Sequence, residues 1–225
     1  QPEKRAFFLN LYKKMRESEE PWYDPVRIYQ FMNFIEMIDN LEGDIFELGT
    51  NDGWSAYLIF KIMNKNCNLY CFDTYDGFVK SDVDEENNLF KNEKRLLEHD
   101  LPVKYINQSK SPDEVKKFIV DEDTKNREKV KIVTGFFPNT YTESHKKLRI
   151  KFLHIDFDLY VPTKKALEMI WDQIVPGGVV IIHDYKCHLF PGVKKSVDEF
   201  FFPKGITPMP MGDRQESAVI IKSLI

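Results

Sequence analysis

Five short apolar runs, each followed by residues of helical or turn character, constrain this chain more than any other feature. They are Ile45-Phe46-Glu47-Leu48, Leu69-Tyr70-Cys71-Phe72, Val130-Lys131-Ile132-Val133, Phe152-Leu153-His154-Ile155 and Val179-Val180-Ile181-Ile182. Strands that stay apolar at almost every position, rather than at alternate ones, are buried on both faces. With helical segments between them they predict a Rossmann-like α/β fold, a mostly parallel sheet with helices on both faces. Two covering helices are marked by apolar stripes: Thr163, Ala166, Leu167 and Ile170, then Val193, Val197, Phe200 and Phe201. Ile206 to Met211 and Ala218 to Lys222 read as two more strands, with Met211-Gly212-Asp213 as the turn between them. The expected sheet therefore has seven strands and ends in a hairpin.

The flanking regions are less regular. Residues 1–40 read as a helical N-terminal extension, with Phe7, Phe8, Leu11 and Met15, then Phe31, Phe34, Ile35 and Ile38, at helical spacing. Pro21 and Pro25 divide it in two. It is expected to cover the sheet or to offer a surface for a homo-oligomer. Residues 41–225 form the main domain. Within it, residues 76–129 are polar and mostly helical in character, with an acidic run Asp82-Val83-Asp84-Glu85-Glu86-Asn87-Asn88. They read either as a solvated helix and loop or as a lid inserted over the binding crevice.

Composition narrows the class. The 225 residues are 42% hydrophobic and 30% charged, with net charge −4. That suits one globular domain with a real core and gives no basic field for nucleic acid. Cys67, Cys71 and Cys187 make no even-numbered framework and no CxxC pair, as expected for a reducing cytoplasm. No apolar run reaches the roughly 18–20 residues that span a bilayer, and no signal peptide is visible. The chain starts at Gln1, so a short N-terminal piece is expected to have been removed or left out.

The first run leads into Glu47-Leu48-Gly49-Thr50-Asn51-Asp52-Gly53, ahead of a helix beginning near Trp54-Ser55. Gly49 and Gly53 permit a tight turn and close approach of a ligand, and the helix start presents free N–H groups. A dinucleotide fingerprint would carry a glycine where Asn51 stands and would meet a pyrophosphate. Glu47 has the wrong charge for that and suits a ligand carrying an ammonium and a sulfonium. Asp73 ends the second run about 20 residues after the turn, the place where an acid accepts from ribose hydroxyls. Together these residues point to S-adenosylmethionine, with NAD as the main competitor.

Two acidic clusters end later runs: His154-Ile155-Asp156-Phe157-Asp158-Leu159-Tyr160 and Ile181-Ile182-His183-Asp184-Tyr185. Open α/β sheets bind ligands at these carboxyl ends. Adjacent parallel strands would bring Asp156 and Asp184 together, and two converging carboxylates repel unless protonated or shared by a cation. A hard ion such as Mg²⁺ is the economical solution. It would lower the pKa of an acceptor hydroxyl, and Asp158 would take the proton. Asp-x-Asp alone also serves metal-using glycosyltransferases, and His183 can be read as a plain strand-end histidine. His145, His154 and His188 show no metal spacing and are expected to be structural or at the surface.

These motifs, in this order, resemble the macrocin O-methyltransferase family of class I S-adenosylmethionine-dependent enzymes, over roughly residues 27–202. The anchors are Phe46-Glu47-Leu48-Gly49 to Gly53-Trp54-Ser55, Phe72-Asp73-Thr74-Tyr75-Asp76-Gly77-Phe78, Gly135-Phe136-Phe137-Pro138-Asn139-Thr140, the two acidic clusters, and Pro191-Gly192-Val193 to Val197-Asp198-Glu199-Phe200. The resemblance implies that Glu47, Gly49, Ser55 and Asp73 contact the cofactor, that Asp156 and Asp184 ligate a metal, and that Asp158 is the general base. The family usually has an acid where His183 stands. A histidine can still ligate, but it is neutral and softer. The expected reaction is methylation of a hydroxyl on a sugar or related small molecule. A metal-independent N-methyltransferase, a sugar-nucleotide glycosyltransferase and a non-catalytic interaction module are the alternatives.

Overall fold

The computed structural model of the protein describes residues 2–17, 24–91 and 110–223. Its sheet has seven strands: β1 (Asp44–Leu48), β2 (Leu69–Asp73), β3 (Val130–Thr134), β4 (Ile150–Ile155), β5 (Ile174–Ile182), β6 (Met209–Pro210) and β7 (Ala218–Ile221). Their order is β3-β2-β1-β4-β5-β7-β6. The first five are parallel, and β7 runs antiparallel to both neighbours. All five runs read from the sequence are strands of this sheet, with the terminal hairpin at one edge. The order reverses between β1 and β4, and the carboxyl ends on either side of such a switch form the natural ligand crevice.

The helices are α1 (Pro2–Glu17), α2 (Pro25–Met37), α3 (Trp54–Ile62), α4 (Lys80–Leu89), α5 (Pro112–Val120), α6 (Tyr160–Ile170) and α7 (Pro191–Phe201). Alternate strand residues feed two separate cores. Ile45, Cys71, Phe152 and Ile181 pack with residues of α2, α3 and α5, including Phe31, Phe60 and Ile119. Phe46, Phe72, Leu153 and Ile182 pack with Leu167 and Ile170 of α6 and Val197 and Phe201 of α7. Each fully buried large apolar side chain contributes about 1.5–3 kcal/mol relative to exposure. Pro25 begins α2 at the position where its missing N–H costs nothing, and Asp24 caps the helix by accepting from Val26 and Arg27 N–H. The side chain of Met15 and the whole of Pro21 lie outside the described residues.

Two boundaries differ from the sequence reading. The expected strand Ile206–Met211 shrinks to Met209–Pro210, because Pro208 and Pro210 cannot donate to a ladder and are tolerated only at a sheet edge. β5 begins at Ile174, earlier than the apolar run suggests. The pairing jumps from Ile150↔Ile174 to Phe152↔Val179, so Pro176-Gly177-Gly178 forms an irregularity inside the strand.

Of residues 76–129, the stretch 92–109 lies outside the described residues. The helix α4 is fastened to the starts of α6 and α7 by one buried carboxylate. Glu86 accepts from Tyr160 N–H at 2.8 Å, at the start of α6, and from Gly192 N–H at 2.9 Å, at the start of α7. Burial pushes this carboxyl up, and the two N–H bonds pull it back. An anion shared by two helix starts satisfies donors that have no partner within their helices. Glu86→Ala should lower the unfolding free energy by about 1–3 kcal/mol, with Glu86→Gln between it and the parent, as read by denaturant titration.

Candidate active site

The cofactor-type turn lies between β1 and α3. Gly49 has φ +87, and a Cβ there would sit 1.9 Å from the carbonyl oxygen of Asp156. Only glycine allows the β1 turn and the β4 turn to touch through main chain. Further main-chain bonds extend past the strand ends: Gly49 N–H to Phe72 O at 2.8 Å, Asp156 N–H to Leu48 O at 2.7 Å and His183 N–H to Ile155 O at 2.9 Å. Gly53 has φ +88, and a Cβ there would press on Val115 of α5 at 2.9 Å. The helix α5 thus closes over the turn from the side of the insertion.

Asp73 ends β2 and is tied into this turn. Its Oδ2 accepts from Asn51 N–H and its Oδ1 from Tyr75 N–H, each at 2.8 Å. Burial raises its carboxyl above the usual range against these bonds. Each carboxylate oxygen keeps further acceptor capacity. Glu47 is wholly buried (0% exposed). Its Oε1 lies 3.2 Å from Nδ1 of His154, which is equally buried, and its Oε2 has no hydrogen bond. Burial raises this carboxyl, while His154 and the Ser55 side chain act to keep it charged. β1 and β4 pair Glu47 directly with His154, so register places the two side chains on one face. His154 therefore belongs beneath the site, a role its sequence position alone did not reveal.

The second half of the site gathers at the ends of β4 and β5. One ligand atom each from Asp156, Asp158, His183 and Asp184 lies within 4.8 Å of the others. Nδ1 of His183 is 2.7 Å from Asp156 Oδ1 and 2.9 Å from Asp184 Oδ2, although neither contact is aligned as a hydrogen bond. Asp158 has φ 62 and Asp184 φ 54. Left-handed backbone at non-glycine residues costs free energy and gathers at functional sites.

The charges in this cluster act strongly on one another. Burial opposes ionisation of Asp156, but His183 beside it, then His154 and Arg27, hold its carboxyl below the usual range. Its side chain keeps 22% exposure, so that burial is incomplete. Asp158 is driven well above the usual range by burial, then by the charges of Asp156 and Asp184. Burial lowers the proton affinity of His183, but Asp156 and Asp184 raise it by more, to about 10. Arg27 approaches from α2, with Nη1 2.5 Å from His183 Nε2. Nothing in the local sequence around Arg27 signals this placement.

The residues expected at the site from sequence lie at the carboxyl ends of β1, β2, β4 and β5, with Gly53 and Ser55 at the start of α3, in two groups joined at Gly49 and Asp156. His145 is instead in the short helical turn His145–Lys147, near Phe46, Tyr70, Phe72 and Tyr141. His188 is exposed, as expected.

The family model of the macrocin-O-methyltransferases (TylF) matches residues 25–222 of this chain. Among characterised relatives, the 8-demethyl-8-(2,3-dimethoxy-alpha-L-rhamnosyl)-tetracenomycin-C 4'-O-methyltransferase of Streptomyces olivaceus is 24% identical over 157 residues, which cover 66% of this chain. The match spans 55% of that relative's length. Among solved structures, the O-methyltransferase NovP shares the fold with a TM-score of 0.72 at 21% identity, covering 88% of this chain and 80% of its own. The calicheamicin methyltransferase CalS11 does so with a TM-score of 0.69 at 18% identity, covering 98% and 93%. The match to the family model includes the Gly49 turn, Asp73 and both acidic clusters; the chain belongs to the macrocin-O-methyltransferase (TylF) family of class I S-adenosylmethionine-dependent O-methyltransferases.

Proposed function

We propose that this protein methylates a hydroxyl of a sugar or a related small molecule, using S-adenosylmethionine and a divalent cation, with Mg²⁺ the expected ion. The observation that carries the reading is the main-chain contact of Gly49 with Asp156, which sets a cofactor-type turn directly against a cluster of three carboxylates. The rhamnosyl group in the name of the Streptomyces olivaceus relative supports a sugar acceptor.

The residues present fit a hard cation. Three carboxylates within 4.8 Å repel one another, and the strong upward push on Asp158 is that repulsion acting with burial. Oxygen donors of this kind suit Mg²⁺. Asp156 and Asp184 would hold the ion. When bound, the sulfonium supplies an electrophilic methyl group and the ion makes an acceptor hydroxyl more acidic.

The chain's own residues do the rest. Asp158, within 4.8 Å of the groups that would hold the ion, takes the hydroxyl proton. Asp73 accepts from the ribose hydroxyls while the Asn51 and Tyr75 N–H groups that donate to its carboxylate fix its orientation. Gly49 and Gly53 let the main chain lie close to the cofactor. Glu47, braced by His154 and Ser55, offers Oε2 as an acceptor for the ammonium group. The rigid junction of the two turns contributes orientation, a large part of the barrier in transfers of this type.

Three measurements test the proposal. Calorimetry should detect binding of S-adenosylmethionine and of its demethylated product, weakened about ten- to a hundredfold in Asp73→Ala; absence of heat in the parent protein would sink the reading. In a labelled-cofactor assay against metabolite extracts, Asp158→Asn should lose about 10²- to 10⁴-fold in kcat with cofactor affinity nearly unchanged. Chelation with EDTA should stop turnover and added Mg²⁺ restore it. Turnover indifferent to EDTA would remove the cation and leave the methyl transfer.

A further inference from the structure

Asp158 sits at the centre of a strained turn. Leu159 N–H donates to Phe157 O at 2.7 Å, closing a three-residue loop around Asp158, whose φ is 62. A turn of this kind with positive φ at its centre is the rare, strained form. Such backbone persists only where its surroundings hold it in place. On the β4 side, Asp156 N–H is bonded to Leu48 O at 2.7 Å. On the α6 side, the next donor is Tyr160 N–H, at the start of the helix, where no partner exists within the helix itself. It meets Glu86 Oε2 at 2.8 Å.

Glu86 is built as a fixed post. It is 1% exposed, and Gly192 N–H holds its other oxygen, Oε1, at 2.9 Å. A Cβ at position 192 would lie 2.1 Å from Oε2 and 2.4 Å from Oε1, so glycine there makes room for the carboxylate. Asp82, one turn earlier on α4, is buried as well, and the two acids share one face of the helix. The post therefore stands on a docked helix, with both oxygens engaged by main-chain donors.

We propose that Glu86 is a positioning residue: its bond to Tyr160 N–H holds the turn from Phe157 to Leu159 closed and so keeps the Asp158 carboxylate aimed into the acid cluster. The catalytic consequence rests on the reading of Asp158 as general base; the geometric one does not. Without the carboxylate, Tyr160 N–H loses its partner, the strained turn relaxes, and Asp158 leaves its place beside Asp156 and Asp184. Gly49 and Asp73 are held by separate bonds, from Gly49 N–H to Phe72 O and from Asn51 and Tyr75 N–H to Asp73. The defect therefore falls on kcat and spares cofactor affinity.

Two variants remove the post by different routes: Glu86→Ala deletes the carboxylate, and Gly192→Ala expels it. In the full chain, NMR should show the Tyr160 amide exchanging about tenfold faster or more in either variant, relative to amides of β1, with the Asp158 and Leu159 amide signals shifted. In the labelled-cofactor assay kcat should fall about 10- to 100-fold with KM for S-adenosylmethionine nearly unchanged. Glu86→Gln, which keeps one accepting oxygen, should recover part of the loss. Added to Asp158→Asn, Glu86→Ala should cost no further activity, because the two residues act as one unit. Val219→Ala, which truncates a buried residue of β7, should lose stability and keep kcat. Unchanged exchange at Tyr160, a preserved kcat, a loss shared by Val219→Ala, or additive losses with Asp158→Asn overturns the proposal. If Asp158→Asn itself turns over like the parent, the base reading fails, and amide exchange and shifts alone decide whether Glu86 holds the turn.

Discussion

Three carboxylates at the ends of β4 and β5 set the terms for the whole site. Like charges this close cannot all ionise without compensation. The structure supplies part of that compensation from within: His183 and, further off, His154 and Arg27 favour the charged form of Asp156. Asp158 is left facing two charged neighbours and a partly dry environment, so its proton affinity rises. Asp156 and Asp158 are two residues apart, and opposite shifts make them unlike in character. One is suited to remain an anion, the other to take up a proton. That asymmetry comes from environment alone, in a pair of chemically identical side chains.

The sheet was legible in the sequence because its strands are buried on both faces, which leaves little room for polar residues. Boundaries were less legible where backbone chemistry overrides the apolar pattern. Prolines 208 and 210 shorten an edge strand, and β5 extends back through Pro176-Gly177-Gly178, ahead of the apolar run that begins at Val179. The site divides the same way. Gly49, Asp73, Asp156, Asp158 and Asp184 each stand at a strand end, so run, turn and acid together announce them. Glu47 was visible, but its partner His154 depends on the β1–β4 register, across 107 residues of chain. Arg27 carries no local signal, because its meaning comes from how α2 is anchored by Asp24.

The N-terminal segment is therefore more than a cover. Phe31 of α2 is fully buried and meets both Phe152 and His154 at their ring edges, with centroids 5.7 and 5.2 Å apart. The same helix fills the core on one side of the sheet and brings a charge to the site. Loosening α2 would disturb packing and electrostatics together, so the two cannot be tuned separately. The Glu86 bridge has a similar double character on the opposite side, joining α4 to the starts of the two helices that follow the acidic clusters.

The contact between Gly49 and Asp156 has a consequence for how such an enzyme can diversify. It is made by backbone atoms on both sides and braced by the bonds from Gly49 to Phe72, Asp156 to Leu48 and His183 to Ile155. Side-chain substitutions anywhere but at Gly49 leave those atoms where they are. The spacing between methyl-donor turn and acid cluster thus behaves as a fixed ruler, inherited with the fold rather than adjusted residue by residue. New acceptors would have to be fitted to that ruler from the surrounding walls, and lineages could change what they methylate without re-measuring the distance over which they do it.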